Sequence, residues 1–323
     1  MTGEQHRVAL SDSPSLYSCR ASAAVVVICT KDRPEEVRRS ATTASRCAPE
    51  KAVLVVDASD DEATRAVCDE LRQAGFSGVL HHKARRPGLA RQRNEAVEVC
   101  RALGASVVHF IDDDTEVATG YFQAIEERFE REPSVMGAGG VIVNQPVVNY
   151  VRVKRLFLLA SDDRGSVLRS GRNVLGQYPG SGGDVEWLSG CSMSFRLAVF
   201  EQLAFDGEMT AYSMGEDYDF TFRLSRMHRI VVEPRAECIH HVTPTGRLTA
   251  RAHARLRTEA THRWVCAHRA MGMSRAAFWW SAVGDCLLNG AYGVLRGESG
   301  ARQAARGVID GALAIAMTGA QQS

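Results

Sequence analysis

Val107-Val108-His109-Phe110-Ile111-Asp112-Asp113-Asp114-Thr115-Glu116 is an apolar run that stops on three consecutive aspartates. A run of this length predicts a buried strand, and strands of an α/β sheet end where ligands bind. Two carboxylates about 4 Å apart repel by roughly 4 kcal/mol at an effective dielectric of about 20. Crowding Asp112, Asp113, Asp114 and Glu116 at one strand end therefore makes most sense beside a divalent cation. Oxygen-preferring Mg²⁺ or Mn²⁺, with phosphate as co-ligand, suits such a site. An isolated acidic triplet is equally compatible with a solvated turn, so its surroundings decide.

Those surroundings alternate. Ala23 to Cys29 is a β-branched apolar run, and a helix follows from near Asp32. There Asp32 and Glu35 have capping-box spacing and Pro34 fits the first turn. Lys51 to Val56 predicts a second strand ending at Asp57, Asp61 to Ala74 a helix, and Gly78 to His82 a third strand. Gly88 to Leu103 predicts a helix, the aspartate-tipped strand follows, and Tyr121, Phe122, Ile125 and Phe129 mark the apolar face of the next helix. Val135 to Val143 closes the series as a glycine-containing strand. Alternating strands and helices imply a mainly parallel sheet covered on both faces. Right-handed crossovers then gather Thr30, Asp57 and Asp112 on one rim.

The middle of the chain is less regular. It offers a short helix (Val151 to Ser161), a glycine-rich loop (Gly176 to Asp184), an extended Trp187 to Phe195 and a helix from Leu197. A second acidic cluster, Gly215-Glu216-Asp217-Tyr218-Asp219, opens another helix. Ile230 to Val232 and Cys238 to Val242 predict two short strands, the second carrying His240 and His241. From Arg247 onward, basic helical sequence meets Phe278-Trp279-Trp280 and Leu287-Leu288. A peripheral membrane contact and packing against the preceding domain both remain open for that segment, as does a homodimer.

The bulk numbers exclude some classes. Across 323 residues, 45% hydrophobic and 24% charged are ordinary for a soluble globular protein, and a net charge of +1 predicts no nucleic-acid partner. Nine cysteines without a Cys-x-x-Cys pair suit free thiols in a reducing cytoplasm, with the inner membrane face as an alternative location. Residues 1–22 are expected to be a disordered leader, because no basic segment precedes an apolar one.

Five ordered elements resemble the family 2 glycosyltransferases, inverting enzymes with the GT-A nucleotide-sugar fold. They are Val-Val-Val-Ile-Cys-Thr-Lys-Asp-Arg-Pro from Val25, Val-Val-Asp-Ala-Ser from Val55, Gly-Leu-Ala-Arg-Gln-Arg-Asn from Gly88, the Asp112 to Asp114 triplet (a DXD motif), and Gly215-Glu216-Asp217. The resemblance implies a catalytic domain over residues 23–246, with a nucleotide-binding half (23–145), an acceptor half (146–246) and a C-terminal helical region (247–323). It implies that Thr30, Asp57, Arg93, Asp112 and Asp113 line the nucleotide-sugar pocket, and that Asp114 binds Mn²⁺ or Mg²⁺. In a galactofuranosyl- or rhamnosyltransferase-like branch, an acid two residues further on and a later histidine complete the metal site. Glu116 and His240 fit, with His241 as the alternative. Asp217 takes the place of the catalytic base and Glu216 that of an orienting acid, while Trp187 is a candidate to stack on an acceptor sugar.

The expected substrates are a nucleotide-diphosphate sugar and a hydroxyl acceptor such as a glycan, a lipid-linked sugar or a small molecule. The processive synthases' Gln-x-x-Arg-Trp is missing; His262-Arg263-Trp264 is a partial echo. Three readings compete, one of them an aspartate-nucleophile phosphatase, which would usually carry its Asp-x-Asp on the first strand. A sugar-1-phosphate nucleotidyltransferase should carry a glycine-rich loop after the first strand, where Cys29-Thr30-Lys31-Asp32-Arg33 has no glycine. A non-catalytic glycan-binding protein would need no base opposite a metal site.

Overall fold

Six of the seven residues from Ala24 to Thr30 (β1) are buried, as are all six from Ala52 to Asp57 (β2). A strand covered on both faces needs no polar–apolar alternation, which is why these runs read as unbroken apolar sequence. The computed structural model describes residues 24–146, 152–208, 215–242 and 248–321, so the expected leader lies outside the described residues. β1 pairs in parallel with β2 and with β4 (Val107–Asp112), and β2 pairs in parallel with β3 (Val79–Lys83). The register sets Thr30 beside Asp57 and Cys29 beside Asp112, so the polar strand ends share one rim. Helices α1 (Pro34–Cys47), α2 (Ala63–Gln73), α3 (Leu89–Ala102) and α4 (Tyr121–Arg131) alternate with these strands. α4 buries Tyr121, Phe122, Ile125 and Phe129, the face its spacing predicts.

Beyond β4 the sheet becomes mixed. β8 (Ser192–Arg196) runs antiparallel between β4 and β6 (Val135–Ile142), and β6 is parallel to β9 (Arg229–His240). β5 (Thr115–Val117) closes the edge antiparallel to β9, giving the order β3-β2-β1-β4-β8-β6-β9-β5, with β7 (Gly183–Val185) paired to β9 off this path. Parallel pairing therefore covers β1 to β4 and the β6–β9 pair, and the sheet as a whole is mixed.

Several local expectations change with the tertiary context. The capping box does not form: Asp32 has φ 56° and gives its N–H to Ser59 Oγ at 2.7 Å, leaving Arg33 as N-cap with Pro34 at the helix start. The two short strands expected around Ile230 and Cys238 are one strand, β9. Its pairing jumps from Gly140–Glu233 to Val141–Glu237, where Pro234 has no N–H to offer the ladder. The helix expected from Leu197 is a short 3₁₀ segment, Leu197–Glu201.

The described residues fall into two compact units. One, the sheet unit, lies within 1–145, 177–184 and 188–242; the other, the helical unit, lies within 146–176, 185–187 and 243–323. The helical unit holds α5 (Arg152–Leu156), α7 (Ala250–Ala267), α8 (Arg275–Leu295) and α9 (Ser299–Gln321), while α6 (Glu216–Ser225) belongs to the sheet unit. Thr249 and Ser274 cap α7 and α8 through their hydroxyls. Within the helical unit, Asp285 Oδ2 accepts from both Arg172 and Arg257 at 2.6 Å. Among the described residues no helix is long and apolar enough to cross a membrane, and the eight described cysteines are free thiols.

Candidate functional site

The three aspartates leave the sheet at the end of β4 and the chain re-enters it as β5 at the edge, beside β9. Thr115 pairs with His240, and the His241 N–H donates to the Asp114 carbonyl at 2.9 Å. This pairing brings His240 Nε2 to 3.1 Å from Asp114 Oδ1. Asp112, Asp114 and His240 each offer one ligand atom, and the three atoms lie within 4.8 Å of one another. Adjacent side chains on a strand point to opposite faces. His241 accordingly turns away and pairs with Glu116 at 2.9 Å, with Arg39 adding a second ion pair to Glu116 at 3.3 Å. The expected place of Glu116 among the metal ligands is thus taken, geometrically, by Asp112.

The donor set suits a divalent cation. Burial would push the His240 imidazole down, but the hydrogen bond to Asp114, Cys191 and the Asp112 charge outweigh it and raise it to about 11. Arg33, absent from the sequence-based candidates, forks onto Asp113 Oδ1 at 2.6 Å and Asp114 Oδ2 at 3.1 Å. The cluster thus draws positive charge from two side chains at once. A ligating imidazole is neutral, so a bound cation would displace the His240 proton.

The carboxylates open into a cavity of about 520 Å³, within the range of small-molecule sites. Its lining includes Thr30, Lys31, Arg33, Gln92, the three aspartates and His240. Thr30 Oγ1 donates to Asp113 Oδ2 at 2.7 Å, so Asp113 is held on both oxygens, by Thr30 and by Arg33. Burial nonetheless pushes Asp113 up to about 7, against the pull of Thr30 and Arg33. Gln92, also absent from the candidates, donates to the carbonyls of Thr30 and Val56 at 2.9 Å each and straps the ends of β1 and β2 together.

Asp57 sits at the rim, but its carboxylate is fully buried and taken up internally. Oδ1 accepts from the Ser59 N–H and hydroxyl, and Oδ2 meets His81 Nε2 at 3.2 Å. Burial opposes its charge, yet the His81 and Ser59 hydrogen bonds hold it below the usual carboxylate range.

Arg93 was expected to face the nucleotide; it is 2% exposed and does not line the cavity. Nη1 donates to Glu216 Oε1 at 2.7 Å, while Nη2 donates to Asp112 Oδ1 at 3.3 Å and the Gly190 carbonyl at 3.4 Å. Its guanidinium also lies 5.5 Å from the Phe205 ring and 6.0 Å from Phe110. Arg93 therefore bolts the start of α6 to the end of β4. Glu216, expected to orient an acceptor, is buried on this bolt, and burial with the neighbouring Asp217 charge pushes it up to about 8.

Asp217, one residue on, is partly exposed. Oδ2 accepts from the Gly190 N–H at 2.7 Å and Oδ1 from the Tyr218 N–H at 2.8 Å. Two glycines make this possible. Gly215 enters α6 at φ 90°, and a Cβ on Gly190 would stand 2.6 Å from Arg93 Nη2 and 3.2 Å from Asp217 Oδ2. Trp187 lies in the helical unit, buried, with its indole N–H given to the Val174 carbonyl at 2.8 Å. At 8% exposure it is buried in packing.

The family description "Glycosyl transferase family 2" matches residues 25–200, more than half of the chain. None of the curated proteins compared is similar to it. Among solved structures, GalNAc-T7 with UDP, GalNAc and Mn²⁺ has a TM-score of 0.53 at 14% identity, over 67% of this chain and 43% of that one. The chain thus spans under half the length of GalNAc-T7. The mannosyltransferase PcManGT from Pyrobaculum calidifontis, with GDP-Man and Mn²⁺, gives 0.57 at 14% identity over 90% and 86%. S. aureus TarS 1–349 with UDP gives 0.50 at 14% over 85% and 73%. Likenesses at this identity speak to fold, and the fold they share is GT-A. With the aspartate-tipped β4, the polar rim and the family match over β1 to β8 in agreement, the chain belongs to glycosyl transferase family 2.

Proposed function

We propose that the protein is an inverting, metal-dependent glycosyltransferase that moves a sugar from a nucleoside diphosphate donor to a hydroxyl acceptor. The observation that carries this reading is the convergence of Asp112, Asp114 and His240 in the lining of the cavity in a family 2 chain. Mn²⁺ beside nucleotide in GalNAc-T7 and PcManGT supports the choice of cation. Asp112, Asp114 and His240 would hold it. When bound, such a cation neutralises the charge that builds on a departing diphosphate.

The chain's own residues do the rest. Arg33 presents a guanidinium at the same carboxylates and would meet diphosphate oxygens once a cation relieves it of Asp114. Asp217 is the general base. Inversion needs a carboxylate on the acceptor side to take the hydroxyl proton as that oxygen attacks the anomeric carbon. The two backbone N–H groups that meet Asp217 fix its orientation and leave lone pairs for a substrate hydroxyl.

A panel of nucleotide sugars, incubated with Mn²⁺, with Mg²⁺ or with chelator and followed by mass spectrometry, tests the reaction class. Donor consumption that needs a divalent cation is the expected result. Calorimetry showing cation-dependent nucleoside diphosphate binding, with no turnover of any donor, would instead indicate a binding protein.

A further inference from the structure

Along α8 the exposed positions Ala276, Trp280, Val283, Leu287, Ala291 and Val294 recur at the three- and four-residue spacing of one helical face, and none is charged. The four larger ones are 46% to 72% exposed. On α9, Ile309, Leu313 and Met317 form a second exposed apolar row at four-residue spacing. Both helices already use other faces for packing, through Phe278 and Ala282 on α8 and Val308 on α9. An outward apolar row beyond that packing calls for a further occupant.

Charge identifies the occupant. The residues of the helical unit include 16 Lys and Arg against 7 Asp and Glu, a formal +9, whereas those of the sheet unit include 23 against 31, a formal −8. Basic residues flank the apolar row. α5 carries exposed Arg152, Lys154 and Arg155 beside exposed Val153 and Leu156. It lies against the row, since the Trp280 indole N–H donates to the Leu156 carbonyl at 2.7 Å and the Trp280 ring meets Phe157 at 5.0 Å. Arg302 and Arg306 stand exposed on α9, seven and three residues before Ile309. Of the acids in this unit, Asp285 is bound by two arginines, Asp310 pairs with Arg251 and Asp162 with Arg155, while Asp163 and Glu298 are exposed and leave the basic residues in excess.

We propose that this face docks on an anionic lipid surface. The α8 row enters the headgroup–acyl boundary, and the basic rim meets anionic headgroups. A second copy of the chain would cover the apolar row but set one basic rim against another. A soluble polyanion would leave the apolar row uncovered.

Co-sedimentation of the full chain with phosphatidylcholine vesicles, with and without phosphatidylglycerol, tests this without any donor or acceptor. Its outcome is therefore independent of the proposed reaction. Binding should require phosphatidylglycerol and weaken with salt. Val283→Glu with Leu287→Glu should lower it about tenfold or more, and Arg152→Glu with Lys154→Glu about fivefold or more. Unchanged thermal midpoints would show that these exposed substitutions leave the fold intact. Absence of vesicle binding, or binding undiminished by the Val283/Leu287 pair, would overturn the proposal. A wild-type dimer in sedimentation velocity that the same pair dissociates would assign the face to a second copy and overturn it equally.

Discussion

The two units invert each other's economy of polar and apolar groups. The sheet unit buries charge: Arg93, Asp57, Asp113, Asp114 and Glu216 are all at or below 6% exposure along one rim. The helical unit exposes apolar side chains, with Trp280, Leu287 and Leu313 near or above half exposure. Buried ions cost several kcal/mol each unless paired, so their concentration at one strand-end rim marks a site held ready for charged ligands. Exposed apolar rows give up the stability their burial would add, so they mark a surface kept for a partner. The two units thus differ in formal charge as well as in which groups they bury.

That contrast yields a graded set of expected outcomes. Asp217→Asn should cut turnover by about 10²- to 10⁴-fold, with nucleoside diphosphate binding unchanged by calorimetry; near-normal turnover would remove Asp217 as the base. Arg93→Leu takes the buried donor from Glu216, Asp112 and the Gly190 carbonyl together and should cost about 3 kcal/mol in urea unfolding. The paired measurement is Arg257→Leu in the helical unit, where Arg172 still holds Asp285 and the loss should be about 1 kcal/mol. Equal losses would show that burial of charge does not distinguish the units. Asp114→Ala should weaken Mn²⁺-dependent nucleoside diphosphate binding about tenfold or more by calorimetry; unchanged affinity would move the cation site elsewhere.

The helical unit should also respond to acid through Asp285. Burial opposes its charge, but Arg172 and Arg257 hold its carboxyl below the ordinary 3.8. A depressed folded value contributes stability that is complete above 3.8 and is lost as pH falls from there through the folded value. Asp285→Asn should flatten that acid limb in a pH series of thermal midpoints. Leu287→Glu should move stability by less than about 0.5 kcal/mol; a larger loss would mean that the α8 row is packed, not free.

The strands β1 to β4 and their helices were legible because they rest on local pattern. Unbroken apolar runs ending in Thr30, Asp57 and Asp112, separated by amphipathic helices, admit few arrangements other than a parallel sheet with one polar rim. The metal-capable cluster was half legible. Asp114 and His240 follow from motif and resemblance, but the choice between Glu116 and Asp112 as third member depended on the β5–β9 register, which no local pattern encodes. The direction of the Arg93 side chain is hidden from the sequence for a related reason. Its place in the motif marks it as belonging to the site, yet only the approach of α6 to β4 shows it turned inward to Glu216. Arg33 had a signal, an arginine just after a strand end and before Pro34, but its partners lie 80 and 81 residues away.

By itself, then, the sequence determined the family and the parallel run from β1 to β4, since these depend on periodicity and ordered motifs. Tertiary structure decided which acids converge in the metal-capable cluster and which brace the scaffold. It also decided that Trp187 packs inward while Trp280 faces outward, both being tryptophans in apolar surroundings. The physical reason is that side-chain direction follows from register and from contacts between segments distant along the chain, and neither is written into the stretch that carries the side chain.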